Sequence, residues 1–117
     1  MTSTDSKDHQ LGINVVCQYL EKDGATIKGA NGDLGQHPQV VAEIEGRLHF
    51  IAVVTVRYPD EARLDPNTKA LLLEHASKHG ATVAFAPVGL WPTGDRDAAG
   101  QEGFHVKYEG IQSVSDL

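Results

Sequence analysis

The sequence contains a single cysteine, Cys17, and few aromatic residues, which make up 6% of the chain. A lone cysteine excludes an internal disulfide, and its place on the apolar face of a predicted helix indicates a buried, inert thiol. No segment approaches the ~18 consecutive apolar residues of a membrane span, and no basic-apolar signal sequence opens the chain. We therefore expect a cytoplasmic protein with no membrane segment.

Basic residues are also scarce. Ten Lys and Arg face sixteen Asp and Glu, which gives a net charge of −6. Tight binding to nucleic acid depends on cationic contacts with phosphate, and the basic residues here are scattered along the chain. The charge therefore disfavours nucleic acid as a partner, although a local basic patch can act against the net charge.

The length of 117 residues predicts a single domain, 1–117. Residues 1–7 are expected to be a disordered polar tail, and 91–103 a mobile polar loop. Between them, hydrophobic periodicity and the Gly and Pro signals predict elements in the order α-β-β-β-α-β-β. The expected segments are a helix over 8–23, a strand over 25–29, a hairpin within 37–58, a helix over 65–79, and strands over 82–88 and 104–108.

The hairpin contains the strand around which the chain is organised. Its tight turn is predicted at Glu45-Gly46, where glycine can supply a positive φ. The following strand is apolar on both faces, so it belongs in the middle of a sheet. One face carries Phe50, Ala52, Val54 and Val56, and the other carries Ile51 and Val53. The predicted class is α/β or α+β, with a mixed sheet of about five strands flanked by helices.

This element order, with the segments YLEKDG, QVVAEIEGRLHFIAVVTVR and TKALLLEHA, resembles the restriction-endonuclease-like or PD-(D/E)xK superfamily. The resemblance is to its small bacterial members similar to Holliday junction resolvases, and it covers residues 12–90. It implies a chemistry in which carboxylates hold Mg²⁺ and a lysine assists at the phosphate. The acids would lie on the first helix, at the start of the second strand and, as Glu-x-Lys, on the third strand.

The positions that match this motif are Ile13, Gln39, Ala52 and Val54, and none is a carboxylate or a lysine. We therefore expect no catalytic residue, no metal and no cofactor. The resemblance then implies a catalytically inactive nuclease-fold protein that acts as a binding or regulatory module. The alternative is an active metal-dependent endonuclease whose acids are displaced to Asp33, Glu43 or Asp60.

Two other residue groups are candidates for binding. The rim of the implied nuclease site would gather His37, Gln39, Arg57 and Lys69. His75 and His79 are four apart on a predicted helix, which is a spacing that suits metal ligands, but the HExxH signature is absent. A helix C-terminus also favours histidine for electrostatic reasons alone.

A homodimer or another protein partner is the expected assembly. The face bearing Phe50, Ala52, Val54 and Val56 must be covered, and a second copy of the chain would cover it. A monomer with the 91–103 loop folded back over this face is the alternative.

Overall fold

The computed structural model describes residues 3–31, 38–96, 98 and 102–114, and gives only the backbone for 3–6 and 102. In these residues, two helices flank one six-stranded open sheet, so the fold is mixed α+β. The elements are α1 (Ser3–Lys22), β1 (Thr26–Ala30), β2 (Val40–Ile44), β3 (Arg47–Arg57), α2 (Pro66–His79), β4 (Thr82–Arg96), β5 (Glu102–Lys107) and β6 (Gln112–Ser113).

The described strands follow the order β1-β2-β3-β4-β5, and β6 pairs with β4 beside β5. The first three strands form an antiparallel meander, β4 runs parallel to β3, and β5 and β6 run antiparallel to β4. A parallel neighbour needs a crossover, which α2 provides. The predicted element order is therefore confirmed, with β6 as an additional short strand.

The central strand β3 divides the interior into two cores. On one side, Ile51 and Val53 pack with α1 through Ile13, Val16 and Leu20. On the other side, Phe50 and Ala52 pack with Leu72 and Ala76 of α2 and with Val114. The two faces contain the residues that the alternation in the sequence predicts.

Local signals explain where several elements begin and end. The hairpin turn has positive φ at both Glu45 (52°) and Gly46 (79°), as a two-residue turn between twisted strands requires. Asp65 caps α2 by accepting a hydrogen bond from the Thr68 N–H at 3.1 Å. Gly80 ends α2 in the left-handed conformation, with φ of 63°.

The structure differs from the sequence prediction at two segments. Residues 3–7, expected in a disordered tail, form the first turns of α1. Most of the expected 91–103 loop is strand, because β4 continues to Arg96 and β5 begins at Glu102. These parts of β4 are exposed on both faces, so no apolar alternation marks them as strand.

The β1 edge of the sheet is irregular. Four of its five residues are exposed, and the register with β2 shifts between Ile27 and Gly29. Lys28 lies at this shift, and its Nζ is 3.7 Å from Glu43 Oε2 on β2.

Candidate functional site

Polar side chains gather where the first half of α1 crosses the carboxyl-terminal half of β3. We call this group the α1–β3 polar cluster: Asp8, Thr55 and Arg57. Asp8 and Gln39 are buried, at 8% and 3% exposure, which is unusual for such residues unless they are paired. The cluster occupies the side of the sheet that faces α1.

Asp8 and Arg57 form a two-pronged ion pair. The Arg57 Nε donates to Asp8 Oδ2 at 2.6 Å, and its terminal nitrogen donates to Oδ1 at 3.1 Å. The guanidinium also lies 4.8 Å from the centre of the Phe104 ring on β5. Such bidentate, charge-assisted bonds are strong and fix the geometry of both partners. Arg57 therefore links α1, β3 and β5, and its planar fork already faces a carboxylate of the same chain.

Gly12 brings the backbone of α1 directly onto β3. A Cβ atom at Gly12 would lie 1.7 Å from Thr55 Oγ1, a distance at which no side chain fits. Thr55 Oγ1 is buried, and no described residue forms a hydrogen bond with it. The space above Thr55 is therefore filled by the helix backbone.

Gln39 extends the sheet beyond the end of β2. The backbone pairing of β2 with β3 stops at Val40 and Ile51. The side-chain Oε1 of Gln39 then accepts a hydrogen bond from the Val53 N–H at 2.9 Å. The backbone carbonyl oxygen of Gln39 accepts one from the Asn31 N–H at 2.7 Å. A buried N–H must find a partner, and Gln39 supplies one here. Its amide oxygen has a structural role.

The four positions implied by the nuclease resemblance do not form one site. Ile13 is buried in the core beneath α1. Ala52 and Val54 point to the opposite face and pack in the core beneath α2. Because side chains alternate along a strand, the α1-facing residues of β3 are Ile51, Val53, Thr55 and Arg57. The assignment of Ala52 and Val54 to a shared site with Ile13 is therefore corrected.

The four rim candidates do not form one surface either. Arg57 lies on the α1 side and binds Asp8, whereas Gln39 binds the backbone N–H of Val53. Lys69 belongs to α2, which packs against the other face of the sheet. His37 lies outside the described residues. The sequence places Gln39 just before β2, Arg57 at the end of β3 and Lys69 in α2, but it cannot tell on which face of the sheet each side chain lies.

The displaced acids of the alternative hypothesis are also apart. Glu43 is paired with Leu48 near the start of β3, whereas the Asp60 N–H binds the Arg57 carbonyl just beyond its end. At about 3.3 Å per residue, the strand from Leu48 to Arg57 spans about 30 Å. Glu43 and Asp60 therefore cannot bind one ion, and Asp33 lies outside the described residues. No group of three potential metal-binding side chains occurs within the described part of the chain.

His75 and His79 pack together around an aromatic ring. Their rings are 4.8 Å apart, and the Phe50 ring lies 5.1 Å from His75 and 5.8 Å from His79. The spacing of the two histidines therefore corresponds to an aromatic cluster at the C-terminal end of α2.

A second region, which the sequence did not predict, opens on the α2 side. Where α2 no longer covers the sheet, a cavity of about 330 Å³ lies beyond the carboxyl end of β3 and beside residues 87–91 of β4, where the parallel pairing of the two strands ends. We call it the strand-end pocket. The residues that line it and carry its chemistry are Tyr58, Asp60, Glu61, Trp91, Lys107 and Glu109. Ligands commonly bind at the carboxyl ends of parallel strands in open sheets.

Two aromatic rings form one wall of the strand-end pocket. Tyr58 and Trp91 have ring centres 4.8 Å apart and remain 61% and 43% exposed. The parallel register explains their contact, since Arg57 pairs with Leu90 and the next residue of each strand points to the α2 side. Tyr58 can be identified as the partner of Trp91 only once β3 and β4 are known to be parallel neighbours.

The pocket carries more negative than positive charge. Asp60, Glu61 and Glu109 line it, and Lys107 is its one cation among the described lining residues. Arg63 reaches Glu61 with a terminal nitrogen 3.2 Å from Oε2, but both side chains are largely exposed, so this pair is weak. The pocket therefore favours a cationic ligand over a phosphate.

A smaller cavity lies near the C-terminal end of α1. Tyr108 and Tyr19 meet there edge to face, with ring centres 5.1 Å apart. Burial, with Asp23, Cys17 and Tyr19 nearby, raises the pKa of Tyr108 to about 12. Burial also raises the pKa of the Cys17 thiol, and the Glu21 carboxylate adds to the effect. A raised pKa keeps the thiol protonated and unreactive, which fits the inert cysteine expected from the sequence.

Comparison with known proteins identifies a family. Residues 8–114 match the family described as Domain of unknown function (DUF8840). The chain belongs to this family. The matched residues run from Asp8 to Val114, so the DUF8840 region includes both the α1–β3 polar cluster and the strand-end pocket. No curated protein matches the chain. Within the described DUF8840 residues, neither helix combines the length and hydrophobicity needed to cross a membrane.

Proposed function

We propose that this protein is a catalytically inactive, restriction-endonuclease-like domain that acts by binding another protein. The observation that carries the proposal is the internal pairing of the α1–β3 polar cluster. Asp8, which is the acid on the first helix at this site, binds both prongs of Arg57 rather than remaining open to a metal ion. Gln39, at the start of the second strand, is bonded to the Val53 N–H.

The arrangement of the sheet supports the resemblance on which the proposal rests. An antiparallel meander followed by a crossover helix and a parallel strand is the order that the resemblance implies. The α1-facing residues of β3, from Ile51 to Arg57, include no carboxylate and no lysine. Catalysis by two carboxylates and a lysine around Mg²⁺ therefore lacks its ligands on this strand, whichever register is chosen.

Protein is favoured over nucleic acid as the partner because of the charge of the strand-end pocket. Three carboxylates line it against one lysine, and the whole chain has a net charge of −6. Phosphate groups would be repelled there, whereas cationic groups of a protein would be attracted.

Cleavage assays test the absence of catalysis. Purified protein is incubated with branched and with single-stranded DNA in Mg²⁺ or Mn²⁺, with EDTA as the control. We expect no cleavage above the protein-free blank. Cleavage that EDTA stops, and that Asp33→Ala, Glu43→Ala or Asp60→Ala removes, would establish the endonuclease instead. Calorimetric titration with Mn²⁺ should likewise give no stoichiometric heat.

The homodimer stays a prediction, although its physical argument has changed. Phe50 and Ala52 are covered by α2 and Val114 of the same chain, so this part of the face needs no second copy. Leu71 and Leu73 of α2 are instead the exposed aliphatic side chains, at 65% and 42%. Sedimentation equilibrium at micromolar concentration distinguishes a dimer from a single species at 12.6 kDa. A cytoplasmic location is likewise part of the proposal.

A further inference from the structure

We infer that the strand-end pocket binds an arginine side chain presented by a partner protein. This inference names the kind of partner for the proposed binding function and so rests on it. It is carried by two independent features of the pocket, an exposed pair of aromatic rings and an excess of carboxylates.

The aromatic wall suits a planar cation. Tyr58 and Trp91 are in contact with each other, and Trp91 also lies 6.3 Å from the His105 ring, yet both remain exposed, so part of their ring surface is available to a ligand. A guanidinium group stacks on such rings, and tryptophan gives the strongest cation–π attraction. Arg57 makes such a contact within the chain, where its guanidinium lies 4.8 Å from the centre of the Phe104 ring.

The carboxylates supply the second half of the recognition. Asp60 and Glu61 follow Tyr58 after Pro59 and line the same cavity as the aromatic wall, as does Glu109. Carboxylates bind guanidinium through two parallel hydrogen bonds, a geometry that a lysine ammonium cannot use. The Asp8–Arg57 pair is an example of this geometry within the same fold.

The size of the pocket sets the size of the occupant. About 330 Å³ is at the lower end of the volumes of small-molecule sites, and it accommodates one long side chain rather than a folded element. Lys107 lies on the β5 side of the cavity and Arg63 next to Glu61, so these two cations would compete weakly with the incoming arginine. Removing either positive charge should therefore strengthen binding.

The only tryptophan of the chain is Trp91, so intrinsic tryptophan fluorescence reports on this pocket alone. The probe is the blocked peptide acetyl-Gly-Arg-Arg-Gly-amide. Matched peptides carry citrulline, lysine or glutamate in place of arginine. We expect a saturable change in Trp91 fluorescence with the arginine peptide, a weaker one with lysine, and none with citrulline or glutamate.

Two double variants test the carboxylates at equal net charge. Asp60→Asn with Glu61→Gln removes the two acids beside the wall, and Glu43→Gln with Glu45→Gln removes two acids near the β2–β3 turn, at the opposite end of β3. The first should weaken binding by about tenfold and the second should leave it nearly unchanged. Tyr58→Leu should also weaken binding, while thermal melting checks that each variant remains folded.

Several outcomes would overturn the inference: no fluorescence change with the arginine peptide, equal weakening in both double variants, or equal binding of the glutamate peptide. These results would leave the proposed non-catalytic function intact. Conversely, metal-dependent DNA cleavage would overturn that function without altering the Trp91 titration.

Discussion

The two sides of β3 differ in whether their polar groups are paired within the chain or exposed. On the α1 side, Asp8 and Arg57 bind each other. On the α2 side, beyond the end of that helix, Tyr58 and Trp91 remain exposed beside carboxylates. The first arrangement holds a helix to a strand, and the second leaves its groups available to a partner. A buried polar cluster in this fold is therefore a structural feature, whereas the exposed pocket is the better candidate for function.

The largest effect should come from the closest contact on the α1 side. Gly→Ala inside a helix normally stabilises by up to about 1 kcal/mol. At Gly12 the added Cβ would meet Thr55 Oγ1 at 1.7 Å, so we expect Gly12→Ala to destabilise the protein by about 3 kcal/mol or more. Urea denaturation measures the difference. Gly29→Ala is the control, because no atom lies within 4 Å of its Cβ position. A stable Gly12→Ala protein would mean that α1 sits farther from β3.

Removing one partner of the ion pair should have the next largest effect. Asp8→Asn leaves the partly buried Arg57 without its carboxylate, at a cost of about 2 kcal/mol, below that of a fully buried pair because one third of the Arg57 side chain is exposed. The matched control is Glu61→Gln, which breaks the exposed pair with Arg63 and should change stability little. Equal effects of the two substitutions would show that the partly buried Asp8–Arg57 pair stabilises the fold no more than the exposed Glu61–Arg63 pair.

Alkaline pH should reveal a titrating group on the α1 side. The pKa of Tyr108 is about 12 in the folded protein and about 10 in an unfolded chain. The folded state therefore binds the Tyr108 proton more tightly than the unfolded chain does. The contribution of this proton to the free energy of unfolding is fully present below pH 10 and is lost as the pH rises through 12. In Tyr108→Phe, denaturation midpoints should fall less steeply over this range than in the unmodified protein. Identical slopes would contradict the raised pKa.

The smallest effect on stability is expected at the strand-end pocket. Tyr58 is 61% exposed, so Tyr58→Leu should change the unfolding free energy by no more than about 0.5 kcal/mol. The same substitution is expected to weaken binding of the arginine peptide to the strand-end pocket. Measuring unfolding and peptide titration on one preparation separates binding from folding. A large loss of stability would assign Tyr58 a structural role like that of Arg57.

Much of the fold could be predicted because its signals are local. The alternation along 48–56 correctly assigns Phe50 and Ile51 to opposite faces, and Asp65-Pro66 and Gly80 mark the ends of α2. The strand over 91–96 escaped prediction because every residue in it is exposed. Propensity and alternation cannot identify a strand that is held only by backbone pairing with β5.

The sites depend on contacts between distant residues, which the sequence does not display. Asp8 and Arg57 are separated by 49 positions, and their contact requires α1 to lie on the face opposite α2. Because the face covered by α1 is not known from the sequence alone, the sequence prediction assigns Ala52 and Val54 to one site with Ile13. Ile13 packs on the α1 side of β3, whereas Ala52 and Val54 lie on the α2 side. Tyr58 and Trp91 meet because of the parallel register of β3 and β4, which pattern analysis cannot determine.

The irregular edge at β1 has a consequence for how the protein behaves in concentrated solution. A straight, regular edge strand offers its unpaired backbone groups to the edge of another molecule, and sheets then polymerise. Here the register shift between Ile27 and Gly29 disturbs the spacing of those groups, and the charged Lys28 stands at the same point. Strand-by-strand growth from this edge is therefore disfavoured, and a second copy of the chain would pair poorly with β1.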